Sequence, residues 1–453
     1  MVRHRGAPLA APALLAALRR EIEPVRPAVL AAFLPRWQQV GGSAKGVAAV
    51  ASALEQLQGV AIPASAWERL VLPARVADYT PAYLDELCAS GEVVWAGSGS
   101  VPGGDGWIVF AWAESAPLVL PPADPDFATG SVHDAVLSAL DRGQALFFRQ
   151  LTETLGPERS EADVLAAVWD LVWAGLLSND TLAPVRALLA GGGAHKAKAP
   201  EPRARYRNAP RLPTSRLGRA SLASARSGPP SAAGRWYRLP DRDDNATRRA
   251  TVLAETLLER HGVLTRGAVM AEGTTGGFAA VYPVLAALEE RGAARRGYFV
   301  EGLGAAQFAV PGAVDRLRAL DEAGSASRAT VLAATDPANP YGAARPWPER
   351  PVDEGEPGSG HRPGRKAGAL VVTVDGELAI YVERGGRTLL SYLDAPETIG
   401  AAAQALAGAV RSGALGPMSV ERADGEAIHA SALGDALTRA GFRTTPRGLR
   451  LRA

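Results

Sequence analysis

The chain has 453 residues, of which 47% are hydrophobic, and this length suits about three domains with packed cores. Its 49 basic and 47 acidic residues leave a formal net charge of +2, so any affinity for nucleic acid must come from local clustering of charge. The single cysteine, Cys88, excludes an intramolecular disulfide and a cysteine-rich zinc site, and no apolar run reaches the roughly 18 residues that span a bilayer.

Residues 1–125 are predicted to form a winged helix preceded by N-terminal helices. The start could pass for a signal sequence, but it becomes charged and amphipathic at residues 18–26, so we expect a cytoplasmic protein. Helical segments then lead to two alternating strands, 92–95 and 106–110, joined by a glycine-rich loop. Three helices and a hairpin are the pattern of a winged helix.

Residues 126–190 are predicted to form a second, partly degenerate winged helix. Two amphipathic helices precede a long apolar helix that starts at Ser160, where Asp163 completes an imperfect capping box. The sequence shows little sign of a wing after Leu177, so we expect this copy to be truncated.

Residues 191–242 are predicted to be a basic linker rich in Ala, Pro, Gly and Ser. Such a composition cannot bury enough apolar surface to fold alone. The segment is either a solvated linker or a basic arm that crosses a phosphate backbone. The aromatic residues Tyr206, Trp236 and Tyr237 among its arginines favour the arm.

Residues 243–325 are predicted to form a further winged helix. Thr265 is expected to cap its second helix, and its third helix is expected over 278–291, before a wing hairpin. A basic third helix and wing would lie in a DNA major groove; the alternative is a winged helix used only for protein contact. The predicted phosphate contacts are Arg266, Arg295 and Arg296, with Arg249 in support.

Residues 326–453 are predicted to form a β-rich α+β module. Two apolar strands flank Asp375 and Gly376, and an Asp-Gly pair is a strong hairpin signal. A third strand and two helices follow. The predicted fold class is therefore α+β, mostly α, with tandem winged helices before this module.

Motifs for several kinds of chemistry are missing from the sequence. It has no G-x-x-x-x-G-K-[ST] and no acidic Walker-B box, which excludes ATP hydrolysis by P-loop chemistry in this chain. The six histidines are scattered, without HExxH or metal-ligand spacing. We therefore predict no metal and no cofactor.

Long segments resemble the C-terminal region of bacterial large helicase-related proteins (Lhr). They include LPRWQQVG, LLERHGVLTRGAVMAEG and ATDPANPYGA, and the similarity covers nearly the whole chain except the basic linker and residues 349–364. The resemblance implies tandem winged helices followed by a small β-barrel-like module, self-association into a tetramer, and an ATPase core elsewhere in the parent protein. It also implies similarity to AlkZ-type DNA glycosylases, and some family members are described as uracil-DNA glycosylases.

The resemblance also points to candidate catalytic residues. AlkZ-type glycosylases carry a Gln-x-Gln pair, and this chain has Gln56 and Gln58. A glutamine amide can hold and polarise a water molecule, but residues two apart share no helix face, so both reach a substrate only if the helix ends there. The alternative is two exposed helical glutamines. Asp336 is the candidate catalytic acid; the alternative is that it only caps a turn.

Arg75 is a further predicted nucleic-acid contact.

Three functions remain open from the sequence. The first is a DNA-binding and oligomerising C-terminal module of an Lhr-type superfamily 2 helicase that acts in DNA repair, with DNA, its own copies and the helicase core as partners. The second is a monofunctional DNA glycosylase for uracil or another damaged base. The third is an assembly scaffold whose winged helices contact only protein.

Overall fold

The structure is a computed structural model that describes residues 23–191, 228–324, 328–349 and 362–452. Three units of helices with a small three-stranded sheet precede a larger sheet module, which confirms the predicted α+β class. In the part of the chain described, no helix is long and apolar enough to cross a membrane.

The first unit is a winged helix, as predicted. Its sheet is antiparallel in the order β1-β3-β2. Trp67, on a π-helical turn, packs edge-on against Phe110, with ring centroids 4.8 Å apart, so the hairpin is fixed to the helices by aromatic packing. The elements are α1 (Pro27–Trp37), α2 (Gly46–Leu57), β1 (Ile62–Pro63), α3 (Pro81–Ala89), β2 (Val93–Val101), β3 (Asp105–Trp112) and the short α4 (Ala116–Val119).

The second unit is also a winged helix, and its sheet is complete. The elements are α5 (Ser131–Ala139), β4 (Ala145–Phe147), α6 (Phe148–Leu155), α7 (Glu161–Trp173), β5 (Leu177–Asn179), α8 (Ala183–Gly191) and β6 (Arg235–Arg238). The strand order is β4-β6-β5, so β6, which follows α8 only after a long interval, lies between the other two strands. Ser160 caps α7 by accepting a hydrogen bond from the Asp163 amide at 3.1 Å.

This strand arrangement corrects the predicted truncation and the predicted linker. Residues 228–242 pack onto the second unit, where Trp236 is buried and meets Trp169 edge-on with centroids 5.7 Å apart. Trp236 therefore belongs to the core and is not an aromatic side chain of a DNA-binding arm. Residues 192–227, the rest of the predicted linker, lie outside the described residues.

The third unit has the predicted three helices and wing. Thr265 caps α10, since its hydroxyl accepts a hydrogen bond from the Ala268 amide at 3.2 Å. The sheet order is β7-β9-β8, so a short strand after the first helix joins the wing hairpin. The elements are α9 (Ala246–His261), β7 (Val263–Leu264), α10 (Arg266–Ala271), α11 (Gly277–Glu290), β8 (Arg295–Gly297), β9 (Gln307–Ala309) and α12 (Ala313–Ala323).

Helix α1, the first element of the first unit, packs against the third unit. The Val25 amide donates to the carbonyl of Phe299 at 2.8 Å, and Phe33 and Leu34 share a buried cluster with Val314 on α12. The N-terminal helix therefore holds the first and third winged helices together.

The C-terminal module is an open sheet covered by helices, which corrects the predicted barrel. Its described strands form one six-stranded sheet, β10-β11-β12-β13-β15-β16, and one three-stranded sheet, β14-β18-β17. The predicted hairpin is present, with Asp375 and Gly376 at φ of 50° and 85°. The elements are β10 (Ala329–Ala333), β11 (Leu370–Val374), β12 (Glu377–Val382), β13 (Thr388–Ser391), α13 (Pro396–Arg411), β14 (Met418–Val420), β15 (Arg422–Ala423), β16 (Glu426–Ala427), α14 (Ala432–Arg439), β17 (Arg443–Thr445) and β18 (Gly448–Leu451).

Candidate nucleic-acid interface

A cleft of about 620 Å³ lies between the first and third winged helices. Its volume falls within the range of about 300–1,000 Å³ that small-molecule sites occupy. Apolar side chains of α9, α11 and the α4 region form the walls, and a few polar groups face the space between them. The polar and charged lining residues are Gln58, Thr247, Arg249, Thr256, Arg260, Glu272, Thr274 and Thr275.

Arg260 connects the two winged helices beneath this cleft. It lies in the last turn of α9 with a side chain only 1% exposed. Its guanidinium donates to the carbonyl of Gln56 at 3.3 Å and to the carbonyl of Gln58, and it forms an ion pair with Glu272. The end of α2 and the loop after α10 are thus held by one cation.

Glu272 is a buried carboxylate that the structure keeps ionised. One oxygen pairs with Arg260, and the other lies 2.6 Å from Nε2 of His261. Burial alone would raise the pKa of Glu272, but Arg260 and the hydrogen bond with His261 outweigh it and hold the pKa below its usual range. The cleft therefore contains an ionised carboxylate that is paired with a guanidinium.

Only one of the two candidate glutamines lines the cleft. Helix α2 ends at Leu57, as the predicted site requires, and Gln58 adopts an extended conformation. Its Oε1 accepts a hydrogen bond from Ser115 at 3.1 Å. Gln56 instead donates through Nε2 to the carbonyl of Trp37 at 3.2 Å and is absent from the lining.

Arg249 lies at the cleft, as a nucleic-acid contact requires. It is half-buried, and its Nη2 donates to the carbonyl of Leu120 at 3.2 Å. Arg242 lies nearby, since its Nε donates at 2.8 Å to the carbonyl of Pro121, which lines the cleft. Burial and then the charge of Arg249 lower the pKa of Arg242. Two guanidinium groups therefore give this side of the cleft a positive potential.

Arg75 and Asp336 bind each other in the interior, away from the cleft. The two guanidinium–carboxylate distances are 2.8 and 3.0 Å, and the side chains are 2% and 1% exposed. Arg75 also donates to Gln38 at 2.7 Å, and the amide of Ala338 donates to Asp336. This arrangement favours a structural joint between the first winged helix and the C-terminal module over a DNA contact or a catalytic acid.

The three remaining candidate arginines lie on the surface of the third winged helix. Arg266 and Arg295 are exposed, whereas Arg296 pairs with Glu289 at 3.2 Å and donates to the hydroxyl of Tyr282 at 2.9 Å. The third helix, α11, is present but it is not basic as predicted, since it contains no lysine or arginine.

Sequence reasoning missed Arg260, His261 and Glu272 as a group. Their only signal is a charged pair at the end of an amphipathic helix, followed by an acid one short helix later. Within the described ranges, no group of three or more His, Cys, Asp or Glu side chains is placed to hold a metal ion.

Comparison with known proteins places two segments in one family. Residues 25–113 and 243–329 match the third and fourth winged-helix domains of the large helicase-related protein. The chain is 48% identical, over 97% of its length, to a Mycolicibacterium smegmatis protein named Lhr helicase/probable uracil glycosylase. It is 34% identical, over 90% of its length, to the Escherichia coli Lhr helicase/uracil glycosylase.

The matched region is a part of those relatives, because the chain spans 29% and 26% of their lengths. Among solved structures, the Streptomyces sahachiroi DNA glycosylase AlkZ aligns with 88% of this chain and 100% of its own, at 12% identity and a TM-score of 0.48.

Proposed function

We propose that this chain, which belongs to the large helicase-related family, is a DNA-binding module whose cleft receives one nucleotide taken out of the base stack. The observation that carries the proposal is the cleft itself, a small-molecule-sized space between two winged helices with Arg249 at its lining. Enzymes that act on a base must extract it from the stack and enclose it in such a pocket. The apolar walls suit the faces of a base, and the two guanidinium groups suit the flanking phosphates.

The names of the two relatives support a proposal for the role of the parent protein. Both are named as helicases, so we propose that this module serves a DNA-repair helicase whose motor lies outside the present chain. Self-association into a tetramer and contact with that motor remain predictions of the family resemblance.

Binding is tested by fluorescence anisotropy with a labelled duplex that carries one unpaired nucleotide. Arg249→Ala should weaken binding several-fold and reduce the salt slope by up to about 0.9 log units, the share of one phosphate. Arg248→Ala is the matched control, because Arg248 is the neighbouring arginine, pairs with Asp243 at 3.0 Å and does not line the cleft. Equal effects of the two variants would exclude the cleft as the contact. Absence of DNA binding together with a stable oligomer in light scattering would favour the scaffold.

A DNA glycosylase is the second candidate function, favoured by Gln58 and Glu272 at one cleft. In hydrolysis, the oxygen of water bonds to C1′ of the sugar while the C1′–N bond breaks and the base leaves with its electron pair. The proton that the water releases passes to the departing base or to solvent. The ionised Glu272 would stabilise the positive charge that develops on the sugar. The Gln58 amide would hold the water, since its oxygen accepts and its nitrogen donates. Both curated relatives carry uracil glycosylase in their names.

Incubation with a uracil-containing oligonucleotide followed by alkaline cleavage tests this activity. We expect strand scission at the uracil and none in the matched thymine oligonucleotide. If the uracil-containing strand stays intact at high protein concentration, uracil is excluded as a substrate.

A further inference from the structure

The exposed side of α11 lacks the groups that read base edges in a duplex. Its sequence, GFAAVYPVLAALEE, contains no Lys, Arg, Asn or Gln. Ala279, Ala280 and Pro283 are exposed along it. Recognition helices in a major groove identify bases mainly with bidentate Arg, Lys, Asn and Gln side chains. This helix therefore suits a different kind of contact.

A shallow depression of about 590 Å³ with aromatic walls lies where α10 meets α11. It is lined by Arg266, Met270, Phe278, Tyr282 and Pro283, among others. The two rings are supported from below by the buried Phe308, whose centroid lies 5.8 Å from that of Tyr282 and 6.4 Å from that of Phe278. Met270 is 55% exposed, which is unusual for so apolar a side chain.

The rim of this depression is cationic. Arg266 lines the depression, is exposed, and makes no hydrogen bond or ion pair with other described residues through its side chain. Arg296 is held at the rim by the Tyr282 hydroxyl, 2.9 Å away. Glu289 neutralises Arg296, which leaves the guanidinium of Arg266 uncompensated beside two half-buried rings. This charge pattern complements an anionic partner that also carries flat apolar faces.

The depression adjoins the cleft described above. Pro283 lines both, while Ala280 and Val284 face the cleft from the same helix. A strand that crosses α11 at Pro283 would thus have one nucleotide in the cleft and its neighbour over Tyr282. The cleft and the depression therefore form one continuous path for a DNA strand.

We propose that this α10–α11 face is a stacking platform for the unpaired bases of single-stranded DNA beside the cleft. The inference rests on the proposed DNA binding and adds that this face binds DNA in its single-stranded form. Every base has a flat face, so stacking on aromatic rings tolerates any sequence, and Arg266 neutralises a phosphate. A duplex, whose bases are already stacked, gains nothing from the rings.

The test uses the full chain and two labelled probes, a single-stranded oligothymidylate and a mixed-sequence duplex of equal length. Met270→Glu places a negative charge on the platform without disturbing a buried side chain. We expect single-strand affinity to fall about tenfold, within the range that one stacked base contributes, and duplex affinity to change less than about twofold. Phe147→Glu is the matched control, because Phe147 is 53% exposed on the second winged helix, away from α11. Circular dichroism checks that both variants remain folded.

Three results would overturn the inference. Unchanged single-strand affinity in Met270→Glu would exclude the platform while leaving DNA binding intact. Equal losses of affinity for single strand and duplex would show that the α10–α11 face makes only a general phosphate contact. A changed molecular mass in light scattering with unchanged DNA affinity would make the face a protein interface. Failure of the unaltered chain to bind either probe would instead remove the proposed function, and the platform with it.

Discussion

Arg260 and Glu272 form an ion pair beneath the interdomain cleft, with side chains only 1% and 10% exposed. The pair joins the last turn of α9 to the loop after α10. Because Arg260 also donates to the carbonyls of Gln56 and Gln58, the same cation fixes the end of α2. The shape of the cleft therefore depends on this pair.

Removing one partner of the Arg260–Glu272 pair should lower the free energy of unfolding by more than removing both partners together. Arg260→Met and Glu272→Leu should each lower the free energy of unfolding by about 3–5 kcal/mol, because each leaves an uncompensated buried charge. The double variant should lose clearly less than the sum of the two. Urea unfolding followed by tryptophan fluorescence measures all four proteins. Simple additivity would show that the two side chains stabilise the fold independently.

The stability that Glu272 contributes should depend on pH in one direction. Its pKa in the folded protein is held below the usual range, so its contribution is complete above the unfolded value of about 4.3 and is lost as the pH falls through the folded value. The difference in melting temperature between the natural chain and Glu272→Gln should therefore shrink as the pH falls below about 4.3, the unfolded value. A difference that stays constant or grows on acidification would contradict this assignment.

The two glutamines should differ in their effect on catalysis. If the chain removes uracil, Gln58→Ala should lower the single-turnover rate about 100-fold, comparable to the loss of one positioned hydrogen-bonding group. Gln56→Ala should change the rate little, because that side chain bonds to the carbonyl of Trp37 away from the cleft. DNA affinity measured in parallel separates a catalytic effect from a binding effect. Similar rates for the two variants would argue against a role for Gln58.

The wing arginines should contribute unequally to DNA binding. Arg295→Ala should weaken binding to DNA and reduce the salt slope by about 0.9 log units on duplex. Arg296→Ala should have a smaller effect, because Glu289 already compensates its charge. Arg149→Ala, which removes an exposed arginine of the second winged helix, controls for net charge. If binding and slope match the natural chain in both wing variants, the wing makes no phosphate contact.

Asp336 should matter for stability and not for chemistry. Asp336→Ala leaves Arg75 buried without its partner, so we expect a loss of about 3–5 kcal/mol in the free energy of unfolding. The fraction that remains folded should keep its DNA affinity and any glycosylase rate. A variant with normal stability and no glycosylase activity would instead support Asp336 as a catalytic acid.

Local patterns in the sequence are sufficient for the first and third winged helices. The cap at Thr265 and the Asp375–Gly376 turn depend on neighbouring residues, and the structure contains both. The wing of the second unit was missed because its central strand comes from Arg235–Arg238, far along the chain from β5. The family resemblance, and not the apolar pattern, implies the barrel-like module. Alternation of apolar residues predicts strands but does not decide whether a sheet closes, and this sheet is open.

The candidate site was predictable only in part, for the same reason. Gln58 and Arg249 were identified as single residues, but the sequence does not tell that α2 and α9 meet at one cleft. Arg75 and Asp336 were selected for their chemical types and instead neutralise each other across 261 positions. Burial and pairing, which decide whether a charged group is available, are properties of the tertiary structure.

The position of α1 has a consequence for how the chain reaches its native state. Val25 and Phe33 pack with Val300 and Val314, so the third winged helix completes its core only when segments nearly 300 positions apart have met, as the pairing of Arg26 with Asp321 across 295 positions illustrates. Such long-range closure slows folding, and a newly made N-terminal helix must wait for its partner. A fragment cut to residues 243–329 would expose the apolar surface that α1 covers. The domain that sequence comparison delimits, residues 243–329, thus lacks part of the apolar core that the third winged helix has in the full chain.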